Sequence, residues 1–454
     1  MLIRASIENF RSFNEPVEIL LTPGRSRNLS HHIVRGEKRR DLRILKSAVI
    51  YGANASGKSN FAQALLFLKK QVVRPRRGKV IAYEKFKLDK AAATRRSQIE
   101  VEFHYRGVNY AYGIVFDQQA MHEEWLYRFD KQKDWKIYER TTQGEQVEVT
   151  FEHLPVSGKD RQRLQFIGAD TQPHELFLHT ANHRNIKDIP GVGPLLAAYA
   201  WFDEALTVIF PNSRFVGMEY SIDSDQDLRN IYEWFLTRLD TGISGLETIQ
   251  VDFFSSEVKV PDQLKERISE DLGIGERAMV SSVDDNITYS LTRRENGDID
   301  AVKLMTRHAV KNSEEDVYFE ISEESDGTQR IMDFIPAMAD LAKEEKVFVI
   351  DEINRSLHPK LTVKLLELFF TMSKNQKSQL ICTTHESQLM DQDILRKDEL
   401  WFVKKDQYGA STLYSLEEFR ERKDADIRTG YLKGRYDAVP TFSAVAEEAP
   451  WKEE

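Results

Sequence analysis

One stretch near the start of the chain has the residue types and spacing of a phosphate cradle. Gly52-Ala53-Asn54-Ala55-Ser56-Gly57-Lys58-Ser59 fits the pattern G-x-x-x-x-G-K-[ST]. Glycines let backbone N–H groups wrap phosphate oxygens, and the N-terminus of a following helix adds a positive dipole end. Lys58 would reach the β- and γ-phosphates, and the Ser59 hydroxyl would hold Mg²⁺. Gly52, Asn54, Ala55, Ser56, Gly57, Lys58, Ser59 and Asn60 are therefore the phosphate-binding candidates of this segment. The bland alternative is an accidental glycine-rich turn. It is disfavoured by the apolar run before the loop and the helical pattern after it.

A second segment, Val347-Phe348-Val349-Ile350-Asp351-Glu352, is an apolar strand ending in two acids. A carboxylate at the end of a buried strand is costly unless a metal or hydrogen bonds hold it. Asp351 would hold Mg²⁺, through a water or through Ser59, and Glu352 would orient or deprotonate an attacking water. Alone, the pair is equally well a helix cap; beside the phosphate loop the catalytic reading prevails. Thr383-Thr384-His385 follows the next apolar run, where the carboxyl end of a parallel strand faces the ligand crevice. His385 is a candidate sensor of the γ-phosphate, against the alternative of a surface histidine. Ser325-Asp326-Gly327-Thr328-Gln329-Arg330 opens a helical pattern and reads either as a second anion site or as a plain N-cap.

These residues need a sheet to position them. The segment 44–51 predicts a buried strand, and Phe61, Leu65, Leu66 and Leu68 predict a helix after the loop. Residues 98–117 read as two strands about a turn at Gly107, and residues 2–10 as another strand. Pro190 to Pro211 brackets an apolar helix carrying Leu195, Leu196, Trp201, Phe202, Leu206 and Ile209. A helix is expected over 226–240, a hairpin turn at Glu295–Asp298, and a helix over 328–344 kinked at Pro336. Strands at 347–350, 379–384 and 400–403 alternate with a helix at 360–373, which implies a parallel sheet. The fold class is α/β, a P-loop head split by a mixed α+β insertion. Its parts are residues 1–119, the insertion at 120–310, and residues 311–454, the middle part supplying an oligomer or partner surface.

Composition narrows the function. The chain has 454 residues, with 64 Lys plus Arg against 73 Asp plus Glu, a net charge of −9. A generally basic nucleic-acid binder is excluded, so any contact with nucleic acid must use a local patch. Lys69, Lys70, Arg74, Arg76, Arg77 and Lys79 form one basic cluster and Lys38, Arg39 and Arg40 another. Solvated faces are the favoured reading of both. The single cysteine, Cys382, rules out an intrachain disulfide and a thiol zinc cluster. No leader-like start and no run of 18 apolar residues is present, so the expectation is a cytoplasmic protein with no membrane partner.

The four motifs, in this order, together with Asn9-Phe10-Arg11-Ser12-Phe13 after the opening strand, resemble the ABC-type ATPase heads of SMC and recombination-repair proteins. More narrowly the chain is similar to the RloA-like ATP-binding proteins of bacterial phage-defence and abortive-infection systems. The segments that carry this are Phe86–Asp89, Ser325–Arg330, Asp351–Pro359 and Gly430–Tyr436. The resemblance implies ATP with Mg²⁺ as cofactors, ATP hydrolysis, and a homo-oligomer built on ATP sandwiched between heads. Ser325 and Gly327 would then act in trans, Ser356-Leu357-His358-Pro359 would cross the interface, and His385 would be the switch histidine. It further implies a partner effector, a nuclease or toxin, and a DNA or phage-protein trigger. The signature departs from transporter heads, with Asp326 where their first glycine is expected, and no Q-loop glutamine is placed; Gln98 is a poor candidate. The insertion is compact rather than a coiled coil, which favours a protein platform over DNA tethering. The other reading is a DNA-binding repair or recombination ATPase using the basic clusters; a transporter subunit and a non-hydrolysing binding module fit less well. Nothing in the sequence separates ATP from GTP.

Overall fold

A computed structural model describes residues 1–36, 41–76, 78–213, 218–282, 287–341, 345–419 and 425–440. Lys38, Arg39, Arg40 and Arg77 lie outside the described residues. Two compact units are present: Met1–Pro211 with Glu344–Asn354 and Thr362–Glu454, and Asn212–Lys343 with Arg355–Leu361.

The first unit is built on two sheets. In one, five parallel strands run in the order Leu206–Ile209, Val347–Ile350, Gln379–Thr383, Ser47–Gly52 and Leu400–Lys405, and Ser411–Ser415 closes the edge antiparallel. The three central strands are buried along their whole length. That explains their unbroken apolar runs, since a parallel sheet covered on both faces has no polar side. The other sheet has seven antiparallel strands, from Gln146–Phe151 through Ser97–Tyr105 and Leu2–Glu8 to Val17–Leu20. Alternate residues of Ser97–Tyr105 are buried, as expected for a half-covered strand.

Buried Gln379 laces the two sheets together. Its Nε2 donates to Leu2 O at 3.0 Å and Leu45 O at 2.8 Å, and its Oε1 accepts from Leu2 N at 2.7 Å. Gln379→Leu would strand three buried backbone groups. The expected loss of stability is about 2–4 kcal/mol. A urea titration followed by tryptophan fluorescence reads it, and an unchanged midpoint would refute the role.

The second unit carries its own sheet, in the order Gly245–Asp252, Ile299–Ala309, Thr288–Arg293, Arg277–Ser281, with Asp316–Glu320 also paired to Ile299–Ala309. Val251, Phe253, Tyr289 and Leu291 belong to its separate core. The turn at Glu295–Asp298 is present: Arg294 N donates to Asp298 O at 2.8 Å and Gly297 takes φ 93°. The helix Gln226–Arg238 matches expectation. The helix Asp326–Leu341 starts two residues earlier than expected and holds Pro336 within it.

Two expectations differ from the structure. The boundaries at 119/120 and 310/311 do not match the compact units, because strands Met121–Phe129, Asp134–Gln143 and Gln146–Phe151 continue the antiparallel sheet of the first unit. Residues 311–343 fall with the second unit. The apolar helix between Pro190 and Pro211 is also shorter than read. An α-helix, Gly193–Ala200, loosens into a π-helical turn at Trp201–Ala205, and Leu206–Ile209 is a strand. The physical reason is the open edge of the acidic strand. Leu206-Thr207-Val208-Ile209 has the β propensity to pair with it in parallel, and does so in register with Val347–Ile350. Trp201 is fully buried and stacks on Phe103 at 4.2 Å.

Candidate nucleotide-phosphate site

The register of the parallel sheet brings the motifs of the first unit to one edge. Ile350 pairs with Cys382, and Thr383 with Ile50. The carboxyl ends of the acidic strand, the strand ending in Thr383 and the strand ending in Gly52 therefore lie side by side. This is the edge at which open α/β sheets hold ligands.

The loop from Gly52 to Ser59 is shaped by close contacts that only glycine tolerates. A Cβ on Gly52 would lie 2.4 Å from Val403 O, and one on Gly57 within 2.4 Å of Ser411 Oγ and 2.5 Å of Ser12 Oγ. Gly57 also takes φ 111° as it caps the helix Lys58–Val73. Asn54 and Ala55 form the exposed lip, while Ser56, Gly57 and Lys58 are buried. Ser56 Oγ is buried with no hydrogen-bond partner. The Asn9–Phe13 segment supports the loop from below. Asn60 Nδ2 donates to Ser12 Oγ at 2.7 Å, and Ser411 Oγ donates to Ser56 O at 2.5 Å while pairing with the Ser12 hydroxyl at 2.8 Å. Asn9 and Arg11 take positive φ, and fully buried Asn9 is tied to Ala92 O at 2.9 Å and Arg95 O at 3.0 Å.

Lys58 Nζ donates to the loop's own carbonyls, Gly52 O at 2.9 Å and Ala53 O at 3.0 Å. The ammonium thus braces the cradle that it would share with a phosphate. Burial lowers its pKa to about 8, opposed by the Glu352 and Asp351 carboxylates, which are close enough to act on it. The charged form that attracts phosphate therefore predominates only below about pH 8. Nucleotide affinity should be flat near pH 7 and fall by up to about tenfold per unit above pH 8. Fluorescent-nucleotide titrations across about pH 7 to 9.5 read this, and Lys58→Arg should flatten the profile.

Asp351 is buried, and its Oδ1 accepts from Thr383 Oγ1 at 2.6 Å. The same Thr383 hydroxyl accepts from Glu352 N at 2.8 Å. Glu352 is partly exposed and holds φ 49°, a strained value for a side-chain-bearing residue. Such strain persists only where neighbours over-determine it, and Thr383 supplies that restraint. Thr384 Oγ1 donates to Asn354 Oδ1 at 2.8 Å, and His385 N approaches the same oxygen at 3.4 Å. His385 stands exposed at this edge. Partial loss of hydration, and secondarily the Lys58 ammonium, hold its imidazole below the ordinary value, while Asp351 pulls the other way. Thr383, Asn354 and Ser12 lie inside motifs that the sequence singles out but have no role there until the fold is seen, and Ser411 lies in none. The signal for Thr383 was its place at the end of a buried strand; Ser411 had none.

Glycines where a Cβ cannot fit, an orphaned buried hydroxyl and a lysine facing two carboxylates fit a nucleotide phosphate. Among the described residues no three His, Cys, Asp or Glu side chains form a metal cluster. A Mg²⁺ here would rest on the Ser59 hydroxyl, Asp351 and phosphate oxygens, the mode that this hard cation favours.

The segment Ser325–Arg330 belongs to the second unit. Ser325 Oγ accepts from Thr328 N at 3.1 Å, so it does cap its helix. A Cβ on Gly327 would sit 2.8 Å from Ser356 O, which makes glycine necessary beside the Ser356–Pro359 loop. Ser356 itself has φ 61°.

A glycine loop opening a helix at the carboxyl edge of a parallel sheet, with an acidic strand two places away, defines a P-loop nucleoside-triphosphatase fold. The chain belongs to the family described as "AAA domain, putative AbiEii toxin, Type IV TA system", whose profile matches residues 47–391. No curated protein matches it. Among solved structures it is similar to the SMC head domain from Thermotoga maritima, at 14% identity and TM-score 0.37, covering 91% of this chain and 98% of that one. An SmcHead bound to the C-winged helix domain of ScpA gives 11% identity, TM-score 0.42, and 92% and 99% coverage. An Smc head with an extended coiled coil, bound to the C-terminal domain of ScpA derived from Pyrococcus furiosus, gives 12%, 0.37, and 92% and 97%. Among the described residues no helix is long and apolar enough to cross a membrane.

Proposed function

We propose that the chain is an ATP-hydrolysing switch of a bacterial anti-phage defence system, working in the cytoplasm. Its copies close on ATP, and the closed state holds or releases an effector, a nuclease or toxin. The observation that carries this reading is the convergence of Lys58, Asp351, Glu352 and His385 on one sheet edge. Lys58 and the loop N–H groups bind and orient the phosphates. Glu352 holds the attacking water and takes its proton, kept in place by the Thr383 bond to its N–H. His385, held at Asn354, faces the terminal phosphate. Bound Mg²⁺, held by Ser59 and Asp351, supplies charge neutralisation of the phosphate oxygens. Ser325 and Gly327 contribute from a second copy, where the capped helix start offers N–H groups to the γ-phosphate. ATP contacts made only in the closed state would shift the population toward it. The family's description, "putative AbiEii toxin, Type IV TA system", supports the defence setting.

The test is the solution mass of the Glu352→Gln protein, by light scattering, with and without Mg-ATP. A rise on adding Mg-ATP is expected. The same mass under both conditions would refute closure on ATP.

A further inference from the structure

The basic cluster after the P-loop divides into two kinds of side chain. Lys69 is structural: its Nζ donates to Leu206 O at 2.5 Å, capping the start of the edge strand. Lys70, Arg74 and Arg76 are exposed. They line a cavity of about 560 Å³ between the C-terminal half of the P-loop helix, the segment around 75–84 and the region 174–183. Arg11 lines it too. In a chain of net charge −9, Lys70, Arg74 and Arg76 around one concavity form a local positive island, while Arg11 acts on the Glu84 carboxylate of the same wall.

The walls suit an organic anion better than a bare ion. Tyr83 and Phe67 line the cavity, with Leu66 and Pro75 adding apolar surface. Tyr83 is partly exposed beside the cations, with Phe10 stacked on one face at 6.2 Å. Two acids also line it, Glu84 and Glu175, but Glu84 is engaged by Lys87 at 2.7 Å. His179 and His183 are fixed at the rim, their Nδ1 atoms on the carbonyls of Val72 at 2.9 Å and His179 at 3.0 Å. The volume lies within the range of small-molecule sites, about 300–1,000 Å³.

We propose that this cavity is a second binding site, for a phosphorylated ligand of nucleotide size. Arg74, Arg76 and Lys70 would hold its phosphate and the Tyr83 wall would take its ring. Its cations Lys70, Arg74 and Arg76 stand away from the phosphate loop, Lys70 lying twelve residues along the helix from Lys58, roughly 18 Å at the α-helical rise, while Arg11 and Gln63 on the near wall adjoin Ser12 and Asn60 beneath the loop.

The experiment is calorimetric titration of the full chain with ADP and with inorganic pyrophosphate. Two ADP per chain are expected for the unsubstituted protein, and one each for Lys58→Ala and Arg74→Glu. Pyrophosphate binding to Lys58→Ala should weaken at least tenfold when Arg74→Glu is added. Arg74 is exposed at the helix end, so its substitution spares the core. A single ADP site lost only with Lys58→Ala would overturn the proposal. So would duplex DNA binding that needs Arg74 without any nucleotide binding there, which would make the cavity part of a nucleic-acid face.

Discussion

Glu352→Gln should leave ATP binding intact and lower kcat by about 10²–10⁴-fold, the range for removing a general base. The substitution keeps the shape of the side chain and the backbone N–H that Thr383 Oγ1 receives at 2.8 Å. It removes only the carboxylate that accepts the proton of the attacking water. A loss of turnover therefore cannot be traced to a collapsed loop, provided nucleotide affinity is retained. Phosphate release under single-turnover conditions, paired with nucleotide binding by fluorescence, makes the measurement. Turnover that survives would move the water-positioning role to another group at this edge, with His385 the next to substitute.

Lys58→Ala should cost nucleotide affinity about ten- to 150-fold, from one charge-assisted hydrogen bond of about 1.5–3 kcal/mol. A second effect adds to it. Without nucleotide, Lys58 braces Gly52 O and Ala53 O, so alanine also removes the clamp that pre-shapes the cradle. Lys58→Arg separates the two, since it keeps the charge but presents a wider fork to a site fitted to an ammonium. Nucleotide binding unaffected by Lys58→Ala, in a protein whose melting temperature is unchanged, would refute the assignment of the phosphate loop.

The sequence by itself determined the elements that chemistry and burial both constrain. The glycine loop was legible because Gly52 and Gly57 sit where a Cβ would collide with Val403 O and Ser411 Oγ. The central strands were legible because burial on both faces forces unbroken apolar runs. The acidic pair was legible because carboxylates at the end of such a run need a reason to be there. Tertiary structure alone decided the rest. Leu206–Ile209 reads as helix from its apolar neighbours, yet an open sheet edge turns it into a strand, since pairing with Val347–Ile350 outweighs local preference. The reach of the antiparallel sheet to Phe151 comes from successive hairpins, the last pairing Gln146–Phe151 with Asp134–Gln143, whose membership in the first unit only the folded sheet shows. The same holds for Thr383, Asn354 and Ser411. Each is an ordinary polar residue in sequence, and each gains its role only where folding brings a distant partner within hydrogen-bond distance: Asp351, Thr384 and Ser12 respectively.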